Sequence, residues 1–97
     1  MSKSLSERVG LPVPAPVLDD PSARELARVW GGRLGMTVAL DIDAWPDPAA
    51  WGIALVDLVR HLSAGYAQKQ GADSGDVAAR IREAFDVEWS HPTDGPE

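Results

Sequence analysis

Two histidines and their neighbours are the first residues in this chain to consider for catalysis. His61 follows Asp57 by four residues, the spacing of neighbours on one helix face. An imidazole beside a carboxylate has the composition of a general base with its orienting partner. No nucleophile is evident near the pair, and such a pair on a polar helix face is usually a solvated contact. His61 and Asp57 are therefore weak catalytic candidates, and His91, in the C-terminal tail, is weaker.

Three aspartates at close spacing, Asp41, Asp43 and Asp47, are the best metal candidates. A calcium loop requires oxygen ligands at positions 1, 3 and 5, glycine at position 6 and glutamate at position 12. Counted from Asp41, positions 5, 6 and 12 hold tryptophan, proline and glycine. The end of a strand followed by a helix cap explains these aspartates better. We therefore predict no metal site and no cofactor.

The chain has four tryptophans among its 97 residues. Tryptophan stacks on ligands and anchors protein interfaces, but it also buries a large area in a small core. We expect two or three of the four in the core and keep all of them as candidate binding residues: Trp30, Trp45, Trp51 and Trp89.

Length and composition limit the class of protein. Ninety-seven residues with 44% hydrophobic and 25% charged residues indicate one small globular domain with a thin core. The absence of cysteine excludes disulfides, thiolate nucleophiles and cysteine-based zinc sites. The N-terminal sequence has no apolar signal core, and the longest apolar stretch, residues 51–62, is too short to span a bilayer. We predict a cytoplasmic protein.

The charge balance argues against two kinds of partner. The chain carries fifteen acidic and nine basic residues, a net charge of -6, and its arginines are scattered. Nucleic acids and anionic membranes attract proteins through clustered lysine and arginine, so neither partner is expected. The acidity is typical of a solubilising surface.

Residues 11–17 carry three prolines, at positions 12, 14 and 16. Each proline fixes its own φ and moves the preceding residue away from the helical region, which predicts an extended arm. The arm either binds the aromatic groove of another protein or lies against its own domain. The second alternative is favoured because the run is short and has no PxxP pattern with basic flanks. Residues 1–10 are predicted to be disordered.

Residues 36–42 alternate between apolar and other side chains, which predicts a strand with one apolar face. The nearest partner is the segment 25–30, across a turn of about five residues that contains three glycines, Gly31, Gly32 and Gly35. This arrangement predicts a β-hairpin. A helix over 22–29 is the alternative, because Ser22 and Glu25 fit a capping box.

Two helices follow. Asp47 is predicted to cap the first and Pro48 to occupy its first position, and Gly71 ends it. The second runs from about Ser74 to Trp89, with Asp73 or Ser74 as its cap. Each helix shows an apolar stripe at helical spacing that should form the core. The stripes are Trp51, Leu55, Leu58, Leu62 and Tyr66 in the first, and Val77, Ile81, Phe85 and Trp89 in the second.

Four segments of the chain resemble a known family. They are "RVW", "TVALDIDAW", "DPAAWGIALVDLVRHL" and "ARIREAFDVEWSHPTD". They are similar to the small alphaproteobacterial proteins grouped as domain of unknown function 5076. The resemblance covers roughly residues 11 to 94 and is most specific around Trp51 and Trp89. It implies a single intact domain in a bacterial cytoplasm, and it transfers no activity and no catalytic residues.

These observations predict an α+β fold with a proline-rich arm, a β-hairpin, and a long and a shorter helix packed on the hairpin. Residues 11–90 form one domain in this prediction, followed by a flexible tail over 91–97. The predicted function is non-enzymatic binding through protein–protein contacts, with a homodimer through a hairpin edge as one arrangement. The alternative is a small-ligand binder or enzyme that uses Asp57, His61 and nearby tryptophans.

Overall fold

The computed structural model describes residues 10–93 and confirms the α+β class. It contains a helical turn α1 (Ala15–Leu18), strands β1 (Ala27–Gly32) and β2 (Gly35–Leu40), and helices α2 (Ala49–Gln70) and α3 (Ser74–Ser90). The chain divides into two compact units, one up to Ala44 and the other from Trp45 onward. The predicted disorder of residues 1–10 lies outside the described residues except for Gly10, and so does the predicted flexible tail beyond Thr93.

The prediction of an extended arm is correct at Pro14 and wrong at Ala15 and Val17. Pro14 has extended angles, φ -63° and ψ 148°, but Ala15–Leu18 forms one helical turn. Pro16 is compatible with this turn because the first amides of a helix have no acceptor within the helix, so a missing N–H removes no bond. The arm is also not a strand of the described sheet, which has only β1 and β2.

The hairpin forms as predicted, and the alternative helix over 22–29 does not. Ser22 donates from its backbone N–H and its hydroxyl to Asp20 Oδ1, at 2.9 and 2.6 Å, so it stabilises a turn instead of capping a helix. The turn of the hairpin is shorter than expected, since Arg33 and Leu34 alone separate the strands. Gly31, Gly32 and Gly35 are strand residues, and Gly35 has a positive φ of 121°.

The antiparallel register gives the hairpin one wholly apolar face. Val29 pairs with Val38, Ala27 with Leu40, and Gly31 with Met36. Directly paired residues of an antiparallel ladder point to the same side, and alternate pairs share a face. The other face carries the Arg28–Ala39 and Trp30–Thr37 pairs. Every residue of both strands is exposed.

The predicted helix ends are confirmed at Gly71 and Asp73, whereas α2 begins at Ala49, one residue later than predicted, with Pro48 in the capping position. Asp47 Oδ1 accepts a hydrogen bond from Ala49 N–H at 2.9 Å, and Pro48 already has helical angles. Gly71 ends α2 in the left-handed conformation, with φ 69°. Asp73 caps α3 by accepting from Asp76 N–H at 3.0 Å. The two helices are thus delimited by short-range hydrogen bonds that the sequence alone specifies.

Helices α2 and α3 are in contact with each other. Ser63 is 3% exposed and is the one buried residue among those described. Its Oγ donates to Val59 O at 2.7 Å. Val59 and Ala67, one turn to either side, are half-buried, as are Val77 and Ile81 on α3. Small residues let two helix backbones approach closely, so we assign this row to the α2–α3 contact.

The prediction that the apolar stripe of α2 forms the core is wrong for this chain. Leu55, Leu58 and Leu62 are 50%, 57% and 52% exposed, Tyr66 is exposed as well, and Trp51 is half-buried. On α3, Val77 and Ile81 are half-buried, while Phe85 and Trp89 are exposed. Periodicity identifies an apolar face but not the element that covers it. Within the described residues, no apolar side chain is fully buried.

Length and apolar content together decide whether a helix can span a membrane. None of the described helices combines the two properties that crossing a bilayer requires.

Candidate interaction surfaces

The exposed apolar row on α2 is the main surface of the second unit. We call Leu55, Leu58, Leu62 and Tyr66 the helix stripe. These residues recur at intervals of three and four, so they lie on one side of the helix. A shallow, open depression follows the C-terminal half of the stripe and is lined by Leu58, Leu62, Tyr66 and others. Its lining is mostly apolar, as expected for a surface that binds another apolar group.

His61 and Asp57 do form the predicted pair, and His61 lines this depression. His61 Nδ1 lies 3.4 Å from Asp57 Oδ2 and 2.9 Å from the backbone oxygen of Asp57. The two side chains are 76% and 64% exposed. The His61 ring nitrogen faces the backbone of its own helix, and the ring is exposed. The pair is therefore a local contact within the helix. The structure brings the pair together without enclosing it.

Two of the three aspartates, Asp41 and Asp47, have structural roles. Asp41 forms an ion pair with Arg24, and its backbone N–H donates to Leu26 O at 2.9 Å. Asp47 is the cap of α2, and Asp43 lies in the turn that follows β2. Among residues 10–93, no group of three His, Cys, Asp or Glu residues is arranged to hold a metal ion.

The tryptophans occupy two kinds of environment. Trp45 and Trp51 are half-buried and pack edge to face, with ring centroids 5.0 Å apart. Trp89 is 78% exposed and stacks on Phe85 at 5.6 Å, and Trp30 is exposed on the hairpin. Aromatic pairs of this kind gain about 0.5–1.5 kcal/mol beyond their buried area. The Phe85–Trp89 stack is a preformed aromatic surface at the end of α3.

Charged side chains make short-range contacts on both units. Glu25 accepts from Arg28 Nε at 2.7 Å, and this hydrogen bond raises the pKa of the Arg28 guanidinium above its ordinary value. Arg82 contacts both carboxylate oxygens of Asp86, at 3.1 and 3.2 Å, as the spacing of the two residues predicts. Exposed pairs of this kind contribute little to stability, about 0–1 kcal/mol each.

Comparison with known proteins identifies the family. The model of a domain of unknown function, DUF5076, matches residues 10–93. The chain belongs to the DUF5076 family. No curated protein is significantly similar in sequence to this DUF5076 chain.

One solved structure is similar over almost the whole DUF5076 chain. It is described as "Structure of a putative pyruvate dehydrogenase from the photosynthetic bacterium Rhodopseudomonas palustrus CGA009". It shares 32% sequence identity and a TM-score of 0.70, covering 96% of this chain and 95% of that one.

Sequence reasoning about this DUF5076 chain missed Ser63. A lone serine inside an apolar helix gives no sign of burial by its residue type. Its position did carry a signal, because Val59, Ser63 and Ala67 follow each other at intervals of four with side chains of small or moderate size. Such a row is typical of close helix contacts, and a pattern defined by large apolar residues does not include it.

Proposed function

We propose that the protein is a non-enzymatic binding protein that acts through protein–protein contacts. The observation that supports this proposal most is the exposure of large apolar side chains in both units of the described chain. Contiguous apolar patches of several hundred Å² are uncommon on monomers and mark interaction sites. We further propose that it acts in the bacterial cytoplasm, in keeping with its acidic composition.

The helix stripe is the surface that we assign to a protein partner. Leucine and tyrosine at intervals of three and four are the anchors by which one amphipathic helix enters the groove of another protein. The four stripe residues carry no charge, and charged residues are depleted at interface centres. Asp57 and Arg60 lie on the opposite side and supply a polar surface. The exposed Trp89 is a further anchor, because tryptophan is enriched at binding hot spots.

Affinity purification from native cells tests this assignment. The full chain carries a tag, and its bound proteins are quantified by mass spectrometry for wild type and for Leu58→Glu/Leu62→Glu. Two glutamates in the centre of an apolar interface should reduce the recovered amount of a specific partner at least tenfold, because burying an unpaired charge is costly. Arg60→Gln/Ala64→Glu is the matched control, since it lowers the net charge by the same two units on the exposed polar side of the same helix.

The comparison between the two double variants decides the result. A protein that is retained by the control and lost from the stripe variant supports the proposal. If every protein recovered with wild type is recovered equally with the stripe variant, the stripe is not the binding surface. Circular dichroism of both variants shows whether α2 and α3 remain helical.

A small-ligand site beside His61 and Asp57 is the second candidate. The depression along α2 favours it, because His61 lines the depression together with Leu62, Tyr66 and Lys69. Two-dimensional NMR with a mixture of small carboxylic acids and heterocycles tests it. Saturable shifts confined to His61 and its neighbours, abolished by His61→Ala, would favour this alternative over the first proposal. Uniform or absent shifts support the binding-protein assignment.

The similar solved structure is described as a "putative pyruvate dehydrogenase", and we do not transfer that activity to this chain. Oxidation of a 2-oxo acid requires polar groups that converge on a bound substrate. In the described part of this chain, Arg24 and Asp41 pair with each other, and Asp47 and His61 make local contacts on α2.

A further inference from the structure

The hairpin presents one strand edge that is suited to pairing with another strand. The described sheet contains only two strands, so each strand has an outer edge. A two-stranded hairpin is marginally stable in water, and three or more strands with an apolar face are needed for independent stability. The hairpin unit buries none of its strand residues. A further strand would therefore stabilise it.

The register identifies which backbone groups point outward. The N–H of Asp41 donates to Leu26 O, so this pair is hydrogen-bonded, and pairs alternate along an antiparallel ladder. The 28–39, 30–37 and 32–35 pairs are then hydrogen-bonded as well. The intervening residues of β2 direct their N–H and C=O groups to the outer edge. These residues are Met36, Val38 and Leu40.

Strand β2 lacks the features that usually protect an edge. Residues Gly35–Leu40 include no proline and no charged side chain, and no bulge interrupts their pairing with β1. Proteins commonly place lysine, proline or a bulge on edges that must remain unpaired. The other edge, β1, carries Arg28 and ends in two glycines, which are poor strand formers. The β2 edge is thus the better site for strand addition.

We propose that β2 pairs antiparallel with β2 of a second copy of this chain, centred on Val38. In that register, Val38 opposes Val38 of the partner subunit, and Met36 opposes Leu40 of the partner subunit. All three outward-facing residues then exchange hydrogen bonds, and the pairing obeys the two-fold symmetry of a closed dimer. The result is a four-stranded sheet. The inference rests on the proposed function, because it names the partner of one apolar surface.

The apolar faces of the two hairpins lie on the same side of this sheet. A two-fold axis perpendicular to the sheet keeps the face of each copy on its original side. Val29, Met36, Val38 and Leu40 are 48–73% exposed in each copy. Together, the two faces form a four-stranded apolar surface that is wide enough to pack against helices. Neither hairpin alone provides a sheet wide enough for that contact.

Disulfide cross-linking with single cysteines tests the register, because the natural chain has no cysteine. Opposed residues of a hydrogen-bonded pair have Cα atoms about 5.5 Å apart, within the range that a disulfide bridges. Val38→Cys should therefore give a cross-linked dimer under mild oxidation. In Met36→Cys, the Cα atoms of position 36 in the two subunits are four residues apart along the strand, about 13 Å. This variant should therefore cross-link at least tenfold more slowly.

A double variant and a β1 variant complete the design. Met36→Cys/Leu40→Cys restores opposed cysteines and should cross-link at a rate close to that of Val38→Cys. Val29→Cys reports on the β1 edge, where the proposed sheet separates the two copies by about 14 Å, three strand spacings.

The outcomes either support or overturn the pairing. Rapid cross-linking of Val38→Cys and of the double variant, with slow reaction of Met36→Cys and Val29→Cys, supports it. Equal rates at all positions, faster reaction at Val29→Cys, or no dimer at any position overturns it. Because these variants lie in the hairpin and the affinity purification probes α2, failure of one proposal is distinguishable from failure of the other.

Discussion

At the scale of single residues, hydrogen bonds lower the pKa of two exposed carboxyl groups. Glu88 accepts hydrogen bonds from the hydroxyl and from the backbone N–H of Thr93, and the hydroxyl bond is the larger cause of a lowered Glu88 pKa. Asp20 has a lowered pKa for the same reason, through the hydroxyl and N–H of Ser22. In both cases the charged form is favoured because an ionised carboxylate is the stronger acceptor of these hydrogen bonds.

We predict that Thr93→Ala raises the pKa of Glu88 toward its ordinary value, because one of two hydrogen bonds to the carboxylate is lost. The folded pKa of Glu88 is below the unfolded one, so these bonds stabilise the C-terminal end above the ordinary carboxyl range. The contribution is lost as the pH falls through the lowered pKa. NMR titration of the side-chain carboxyl carbon measures the shift. Thr37→Ala in β2 is the control, and identical titrations of wild type and Thr93→Ala would contradict the contact.

The helix caps could be predicted from single residues because capping depends on a few adjacent atoms. Asp47, Gly71 and Asp73 all have the predicted roles. Ser22 and Glu25 fit a capping pattern equally well, and no helix forms there. Ser22 instead donates a hydrogen bond to Asp20, and the segment that follows pairs as a strand. A local pattern is thus decisive only where no longer-range pairing competes with it.

At the scale of elements, the hairpin and both helices could be predicted, but the surfaces that they bury could not. The alternation in residues 36–42 identified β2, and the 3.6-residue periodicity identified α2 and α3. The turn was misplaced, because three glycines indicate a loop while the structure uses two of them to end β1 and one to begin β2. The α2–α3 contact uses Ser63, whose burial depends on the position of α3 and not on its own residue type.

Substitution of Ser63 tests the assignment of the α2–α3 contact. Ser63→Leu inserts a large side chain at a position that is 3% exposed, and we expect it to lower the free energy of unfolding by about 1–3 kcal/mol. Ser63→Ala keeps the side chain small and should change stability by less than about 0.5 kcal/mol, since alanine favours helix and the lost bond lies within the helix. Urea denaturation measures both. Equal stability of Ser63→Leu and wild type would show that this face is not the contact.

The conformation of Gly35 leads to a prediction about the hairpin. Its φ of 121° is strained for any residue with a Cβ, so Gly35→Ala should cost about 1–3 kcal/mol of stability. Gly31→Ala is the matched control, because Gly31 has open space around a Cβ and no positive φ. We expect it to change the free energy of unfolding by less than half as much. Equal effects of the two alanines would contradict the positive φ at Gly35.

At the scale of the whole molecule, the described residues expose more apolar side chains than they bury. The prediction that 11–90 form one domain, with both helices packed on the hairpin, stays a prediction. Its physical basis is that two apolar surfaces are exposed, the apolar face of the hairpin and the helix stripe. Each of them would be stabilised by an element that covers it. Sequence reasoning could not decide whether that element belongs to the same chain or to a partner, since periodicity is identical in both cases.

A proline substitution separates dimer pairing from hairpin formation. Val38→Pro removes an N–H that points to the outer edge, so it should abolish the dimer while the hairpin of each copy remains. Ala39→Pro removes an N–H that bonds to Arg28 across the hairpin and should disrupt the hairpin itself. Hydrogen exchange of the Thr37 amide reports on the hairpin in both variants. Retention of the dimer in Val38→Pro would contradict the proposed edge.

Sedimentation equilibrium of the full wild-type chain, from low to high micromolar concentration, tests most directly the claim that the exposed hairpin serves association by pairing with a second copy. The account predicts a mass that rises to that of two chains, about twice 10.4 kDa, and stays there. A single chain mass that persists at high micromolar concentration would contradict it.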